Sequence, residues 1–360
     1  MATETFLTSR RRAGRDECVW CDAQGEVRAS VPLPKRGHSF AVDAAQGRAV
    51  IFGRQPGFFA KAFQLLDSDS GRLEVEHLPL PQGHHFYGHG VFAPDGDYLY
   101  ATENDYEHAR GVVGVYDARP GQGYKRVGEF ETGGIGPHEV LMMPDGETLC
   151  VANGGMETHP DYGKSILNAS TMQASLAYLD RRSGKLQALH TLSEEWRQLS
   201  IRHLALDEAG RVWAGCQYAN PDGRRPPLVL RHARGQSLEP LSCPSSQLRA
   251  MRNYVGSVTA NAQGNVVATS SPLGGHVLFW DAATGQLWDA VDMPDVCGVA
   301  QHGKTGFLLS SGHGVLAWYH PAERRLEEHP SEEQVYAATR IPNHQNLQFE
   351  VSWDNHMRRI

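Results

Sequence analysis

Five histidines stand at matched places in this 360-residue chain: His38, His89, His138, His203 and His356. His38 and His89 follow a glycine, His138 follows Pro137, and His203 follows Arg202; each of these four opens a short apolar stretch. Histidine makes up 18 of the 360 residues, so its return at one structural position needs a cause. A neutral imidazole carries one donor and one acceptor nitrogen. Several of them crowded away from water would lose their protons and leave acceptors without partners. A divalent ion satisfies such lone pairs together, at roughly 2.0–2.2 Å per nitrogen. An all-imidazole set suits Fe or Cu, with Zn and Ni compatible, rather than Mg or Ca, which take oxygen. For one histidine alone, a strand cap or a hydrogen-bonded place in the packing explains as much. Five at matched positions point to a metal.

The elements that would position them are short strands. The stretch from His84 to Gly96 reads as a polar approach loop, a Gly-His pair, a strand and a Pro-Asp-Gly turn. A second strand, Tyr98 to Thr102, follows and runs into an acidic loop, Glu103-Asn104-Asp105. Versions of this unit recur, with starts separated by 51 (38 to 89), 49 (89 to 138), 65 (138 to 203), 54 (203 to 257) and 41 (257 to 298) residues. Four strands at such a period are the mark of a β-propeller. The expected fold is all-β: a seven-bladed propeller forming a single domain over residues 1–360, with blades opening near 38, 89, 138, 203, 257, 298 and 356. Three leading strands, Thr5 to Arg10, Cys18 to Asp22 and Glu26 to Leu33, lack an inner partner. The C-terminal segment around Asn355-His356 is expected to supply it and close the seventh blade. Strands are also expected at Ala62 to Leu66 and Leu73 to Leu78. Glu194 to Ser200 is read as one helical turn.

In a propeller the first strand of each blade lines the central channel, so residues at its start form a ring. By blade that ring reads His38, His89, His138, His203, Ser257, Cys297 or Gly298, and His356. Loops on the same face would bring Arg54, Glu103, Asp105, Glu157 and His159 toward the channel mouth, as outer partners of the imidazoles or as funnel residues. Cys297 joins that set by position, and Glu103 leads it. His84 and His85 fall in the loop before their strand. The insertion from Gly154 to Gln173 is long for a compact domain, and such loops usually have a task.

Composition narrows the alternatives. The formal charge is −7 and the pI about 6.2, with no basic patch of the kind nucleic acid needs. No apolar run is long enough to span a membrane. The chain opens Met-Ala-Thr-Glu-Thr and is strand-like at once, which reads as cytosolic unless a targeting segment has been removed. Cys18 and Cys21 have CxxC spacing but no second pair; in a strand the two point to opposite faces.

The motifs His85-Phe-Tyr-Gly-His-Gly, Thr102-Glu-Asn-Asp-Tyr, Gly134-Ile-Gly-Pro-His-Glu, Glu157-Thr-His-Pro, Leu199-Ser-Ile-Arg-His-Leu and Trp353-Asp-Asn-His resemble a bacterial domain-of-unknown-function family of seven-bladed propellers. The resemblance covers nearly the whole chain. Members are typically exported, often by the twin-arginine route, and often encoded beside imelysin-type iron-uptake proteins. It implies a periplasmic location, a link to iron or copper handling, and other iron-uptake proteins as partners. It implies no reaction. Two departures stand out: no export signal is visible, and Gly53-Arg54-Gln-Pro-Gly stands where paired arginines are expected, which weakens a role for Arg54.

Three functions compete. The first is a metal-binding protein serving iron acquisition or metal redox chemistry. The second is a propeller scaffold whose funnel binds a protein or small molecule without metal chemistry. The third is a propeller hydrolase such as a lactonase, which would need carboxylate and amide oxygens around Ca where this ring offers imidazoles. No GxSxG elbow, Walker loop or Rossmann fingerprint is placed to act.

Overall fold

The computed structural model describes residues 4–65, 75–220, 222–329 and 351–360. It is a seven-bladed β-propeller built from seven four-stranded antiparallel sheets. In chain order, three strands come first: β1 (Phe6–Arg12), β2 (Arg15–Cys21) and β3 (Val27–Pro32). The next blade has β4 (Gly37–Asp43), β5 (Arg48–Gly53), β6 (Ala60–Gln64) and β7 (Val75–His77). Then come β8 (His84–Phe92), β9 (Tyr98–Asp105), β10 (Arg110–Asp117) and β11 (Lys125–Glu131), followed by β12 (Pro137–Met142), β13 (Thr148–Asn153), β14 (Ser175–Asp180) and β15 (Leu186–Thr191). The following blade has β16 (Leu199–Leu206), β17 (Val212–Tyr218), β18 (Val229–His232) and β19 (Glu239–Pro240). After the short helix α1 (Ser245–Ala250) come β20 (Ser257–Ala260), β21 (Val266–Ser271), β22 (His276–Asp281) and β23 (Leu287–Asp292). The last are β24 (Val296–His302), β25 (Gly306–Ser311), β26 (Leu316–His320), β27 (Arg325–His329) and β28 (Val351–Arg359). The strand order β28-β1-β2-β3 completes the first sheet from both ends of the chain, as expected.

Backbone contacts divide the molecule into two compact units. One holds His38–Ala205 and Gly210–Leu241; the other holds Met1–Gly37, Leu206–Ala209 and Ser242–Ile360. The first contains the four blades from β4 to β19, including the four histidines carried on β4, β8, β12 and β16.

Local sequence explains the hairpins. Ala93-Pro94-Asp95-Gly96 turns β8 into β9: Ala93 N–H donates to Tyr98 O (2.8 Å), Gly96 N–H to Ala93 O (2.9 Å), and Asp95 Oδ1 accepts from Asp97 N–H (3.0 Å). Met143-Pro144-Asp145-Gly146 repeats this between β12 and β13, with Met143 N–H on Thr148 O at 2.8 Å and Gly146 N–H on Met143 O at 2.9 Å. Both glycines need positive φ, 73° and 69°, which glycine adopts without steric cost. Arg48 of the preceding blade is buried and donates to the carbonyls of Gly96 and Ala118, tying its blade to the next.

Strands β5, β9, β10 and β13 are buried along nearly their whole length because they pack against neighbouring blades of the same unit. Phe52 and Phe86 meet at 5.6 Å between ring centroids, in a cluster with Val50, Leu99 and Tyr116. Tyr100, Val113, Val140, Leu149 and Leu179 form the next such cluster. Each fully buried side chain of this size contributes about 1.5–3 kcal/mol over its exposed state.

Three expectations are corrected. His84 and His85 do not lie in an approach loop; they open β8, paired with Asp105 and Asn104. The supposed acidic loop is the end of β9, with Glu103 opposite Phe86. The reason is a break in the ladder between Phe86 and Gly90, which lets the strand continue past an irregularity that a simple alternation pattern reads as its beginning. β16 likewise starts at Leu199, so His203 lies inside the strand and not at its start. Helix α1 was not anticipated. The expected turn at Glu194 is present as a 3-10 turn over Glu194–Trp196. Part of the expected strands Ala62 to Leu66 and Leu73 to Leu78 lies outside the described residues.

Candidate metal centre

Strands β4, β8, β12 and β16 are the edge strands of four consecutive sheets, and each carries its histidine with the ring buried: His38 4%, His89 1%, His138 3% and His203 1% exposed. The four rings meet. Their centroids are 4.9 Å apart for His38–His89, 5.5 Å for His38–His138, 6.2 Å for His38–His203, 5.1 Å for His89–His138, 5.6 Å for His89–His203 and 4.7 Å for His138–His203. Nitrogens of His38, His89 and His138 lie within 4.8 Å of one another. Imidazoles bound at ~2.1 Å put their centroids about 3.2 Å from an ion, and a tetrahedron of that radius has edges of about 5.2 Å. The six separations scatter around that length, and His38, His89 and His138 are a group that could hold an ion.

Electrostatics favour neutral rings at His138 and His203. Burial pushes the His138 imidazole well below its ordinary range, helped by Arg202 and the neighbouring histidines. His203 is lowered to about 4, again chiefly by burial. Neither ring nitrogen of His138 has a hydrogen-bond partner among the described residues. A buried polar atom left so carries a desolvation cost that a metal bond would remove.

The backbone around the quartet is pinned. Thr102 on β9 points its hydroxyl at the carbonyls of His89 (3.2 Å) and His138 (3.3 Å), tying two adjoining edge strands. Glu139 supplies a carboxylate that sequence reasoning missed. Its Oε1 stands 3.5 Å from Nδ1 of His89 and its Oε2 3.5 Å from Nδ1 of His203, while Oε2 accepts from Leu204 N–H at 3.0 Å. The side chain is 3% exposed. Those contacts turn the Nδ1 edges of two rings toward one carboxylate and leave Nε2 on the far side of each, the arrangement by which outer partners fix the tautomer of ligating histidines. The signal was an acid directly after His138 in an otherwise apolar strand.

The other expected residues make the following contacts. Glu103 is fully buried, but its oxygens go to Arg126 Nη2 (2.9 Å), the Tyr116 hydroxyl (2.6 Å) and His84 Nδ1 (3.1 Å). Asp105 holds His108 Nδ1 at 2.9 Å and Arg110 Nη2 at 2.6 Å. Glu157 and His159 sit in the insertion; Glu157 N–H donates to Asn168 Oδ1 at 2.8 Å, and His159 Nδ1 accepts from Asp161 N–H at 3.2 Å. Arg54 is exposed. Cys297 on β24 is buried, its thiol pushed up by burial, with Sγ 3.1 Å from Asp295 O. His356 is buried on β28, in the other compact unit. Cys18 and Cys21 are buried on β2 with free thiols.

The insertion packs on this side of the molecule through Thr158. Its Oγ1 meets the Tyr87 hydroxyl at 3.2 Å and Gln55 Nε2 at 3.2 Å, and its carbonyl accepts from Asn104 Nδ2 at 3.2 Å. Tyr87 in turn lies 6.1 Å from His138, ring to ring.

A family model described as "Protein of unknown function (DUF1513)" matches residues 31–360, and the chain belongs to that family. No curated protein matches the sequence. Among solved structures the chain is similar to a Pseudomonas aeruginosa periplasmic gluconolactonase, PpgL, with a TM-score of 0.63 and 14% identity over 92% of this chain and 97% of that one. Likeness at this identity is likeness of fold.

Proposed function

We propose that this DUF1513 member is a periplasmic metal-binding propeller that holds one Fe or Cu ion on His38, His89, His138 and His203 and serves iron acquisition or metal redox chemistry. The observation that carries the reading is the quartet itself: four buried rings with centroids 4.7–6.2 Å apart, one of them lacking any hydrogen-bond partner among the described residues. Nitrogen donors select transition metals over Mg or Ca, and Zn fits the same donors. Four neutral imidazoles leave the ion's charge intact, and Glu139 offsets part of it. The sequence expectation of a fifth ligand, His356, stands within this proposal and is tested by the metal content of His356→Ala. The periplasmic placement draws on the motif resemblance and on the similarity in fold to a periplasmic gluconolactonase. A lactone-hydrolysing reading would rest on fold likeness alone, and an imidazole donor set does not suit Ca.

The test is elemental analysis of protein purified anaerobically and then offered Fe(II), Cu(I) or Zn(II) singly. One equivalent bound in the wild type and none in His89→Ala/His138→Ala is expected. Wild-type protein that takes up none of the three metals defeats the reading.

A further inference from the structure

The insertion and the Tyr87 segment do more than the metal reading asks of them. Starting at a proposed ligand, rings follow one another to the surface: His138 to Tyr87 at 6.1 Å, Tyr87 to His85 at 5.2 Å, His85 to Tyr106 at 5.9 Å, Tyr106 to His159 at 5.0 Å, and His159 to Tyr162 at 5.5 Å. His85 and Tyr106 are stacked, with 19° between their planes. Every step lies in the range where aromatic rings touch. The inner members Tyr87 and His85 are 3% and 1% exposed, and Tyr162 at the far end is 62% exposed.

The path is held rigid. Tyr87 O–H and Gln55 meet Thr158 Oγ1, and Asn104 Nδ2 reaches both His85 Nε2 and the Thr158 carbonyl at 3.2 Å. His85 Nδ1 lies 3.0 Å from Phe86 O, so both its nitrogens are engaged. Asn168 clamps the base of the insertion, accepting from Glu157 N–H (2.8 Å) and donating to Gly155 O (2.9 Å). Burial keeps His85 neutral down to about 4, so no fixed charge sits in its interior at neutral pH.

We propose that this run of rings, from Tyr87 to Tyr162, conducts single electrons between the metal centre and the protein surface. The inference rests on the metal reading and deepens it. In the forward direction the bound ion gives up one electron and rises by one oxidation state. A one-electron carrier at the Tyr162 end takes that electron and is reduced. One electron would leave the ion and one would reach the carrier, so the step balances. Electron transfer through protein weakens steeply with distance and with every gap in the packing, and this file of touching rings is a gap-free route from the centre to the surface. A loop placed only to cover the histidines would need neither the file nor its exposed end.

The experiment mixes Cu(I)-loaded protein with hexacyanoferrate(III) under argon in a stopped-flow instrument and follows loss of the oxidant's colour. His159→Ala and Tyr106→Leu are expected to slow the transfer by an order of magnitude or more, with copper content unchanged. Phe58→Leu is the control: its ring is 53% exposed and touches His85 at 6.1 Å but lies off the path, so its rate should match wild type. Path variants as fast as wild type overturn the proposal, and so does slowing in all three. A centre that accepts only redox-silent zinc overturns it while the metal reading stands. Absence of any bound metal removes the metal reading itself, and this inference with it. His159→Ala alters a partly exposed side chain, so it remains informative if Tyr106→Leu fails to fold.

Discussion

A β-carbon placed on Gly88 would stand 2.4 Å from Cδ2 of His38. Glycine at this point, with φ of +105°, is what allows β8 to run beside the imidazole of the preceding blade. Gly88→Ala therefore meets two penalties, backbone strain of about 1–3 kcal/mol and displacement of the His38 ring. Lower thermal stability together with weakened metal uptake is expected, read by calorimetry and by metal titration of the same preparation. Unchanged uptake would mean that the His38 ring need not stay where it is.

Glu139 offers a sharper separation of binding from folding. Glu139→Gln keeps an oxygen for Leu204 N–H but removes the charge that faces Nδ1 of His89 and His203. Metal affinity should fall about 10–100-fold with the melting temperature of the metal-free protein nearly unchanged. Glu139→Ala should lose affinity and also about 1–3 kcal/mol of stability, because the buried amide then has no acceptor. Equal affinity in Glu139→Gln and wild type would remove the carboxylate from the centre.

His138 should reveal a conflict between stability and binding. Both its ring nitrogens are buried without hydrogen-bond partners among the described residues. Replacing the ring by an apolar side chain of similar size removes that cost, on the order of 1–3 kcal/mol per unsatisfied group. His138→Leu is expected to melt higher than wild type when both are metal-free, and to bind no metal. A lower melting point for the metal-free variant would show that the imidazole is already satisfied.

Acid should loosen the metal-free protein before its carboxylates titrate. Burial lowers both His85 and His203 from 6.5 to about 4. The unfolded chain takes up protons near 6.5 while the folded chain resists them until about 4, so the unfolded state binds more protons across that window. Stability is then full above about 6.5 and declines as the pH falls toward 4. Urea midpoints at pH 7.0, 6.0 and 5.0 should drop in that order, and a flat profile from 7.0 to 5.0 would contradict the burial of these rings in neutral form.

Much of this was open to view in the chain itself. Short strands alternating with Pro-Asp-Gly turns are local signals, so the blade count and the placing of His38, His89, His138 and His203 on the first strands of four blades follow from residues close in sequence. Glu139 was missed because its partners lie on β8 and β16, and no spacing rule links residue 139 to 89 and 203. Glu103 looked like the better candidate for the opposite reason. An acid at the end of a strand reads as free for the mouth, whereas in the folded protein Arg126, 23 residues away, has claimed it. The early start of β8 depends on a ladder irregularity at Gly88, and alternation counts break at such a point.

The sheet order β28-β1-β2-β3 has a temporal side. A ribosome makes Phe6–Arg12 long before Val351–Arg359, so β1 waits for its neighbour while the intervening blades are synthesised. At ~5–20 residues per second that delay is on the order of tens of seconds. During it, the nascent protein carries an unpaired strand edge that invites other chains. A helper that shields the newborn N-terminal hairpins, or export ahead of folding, would answer that hazard.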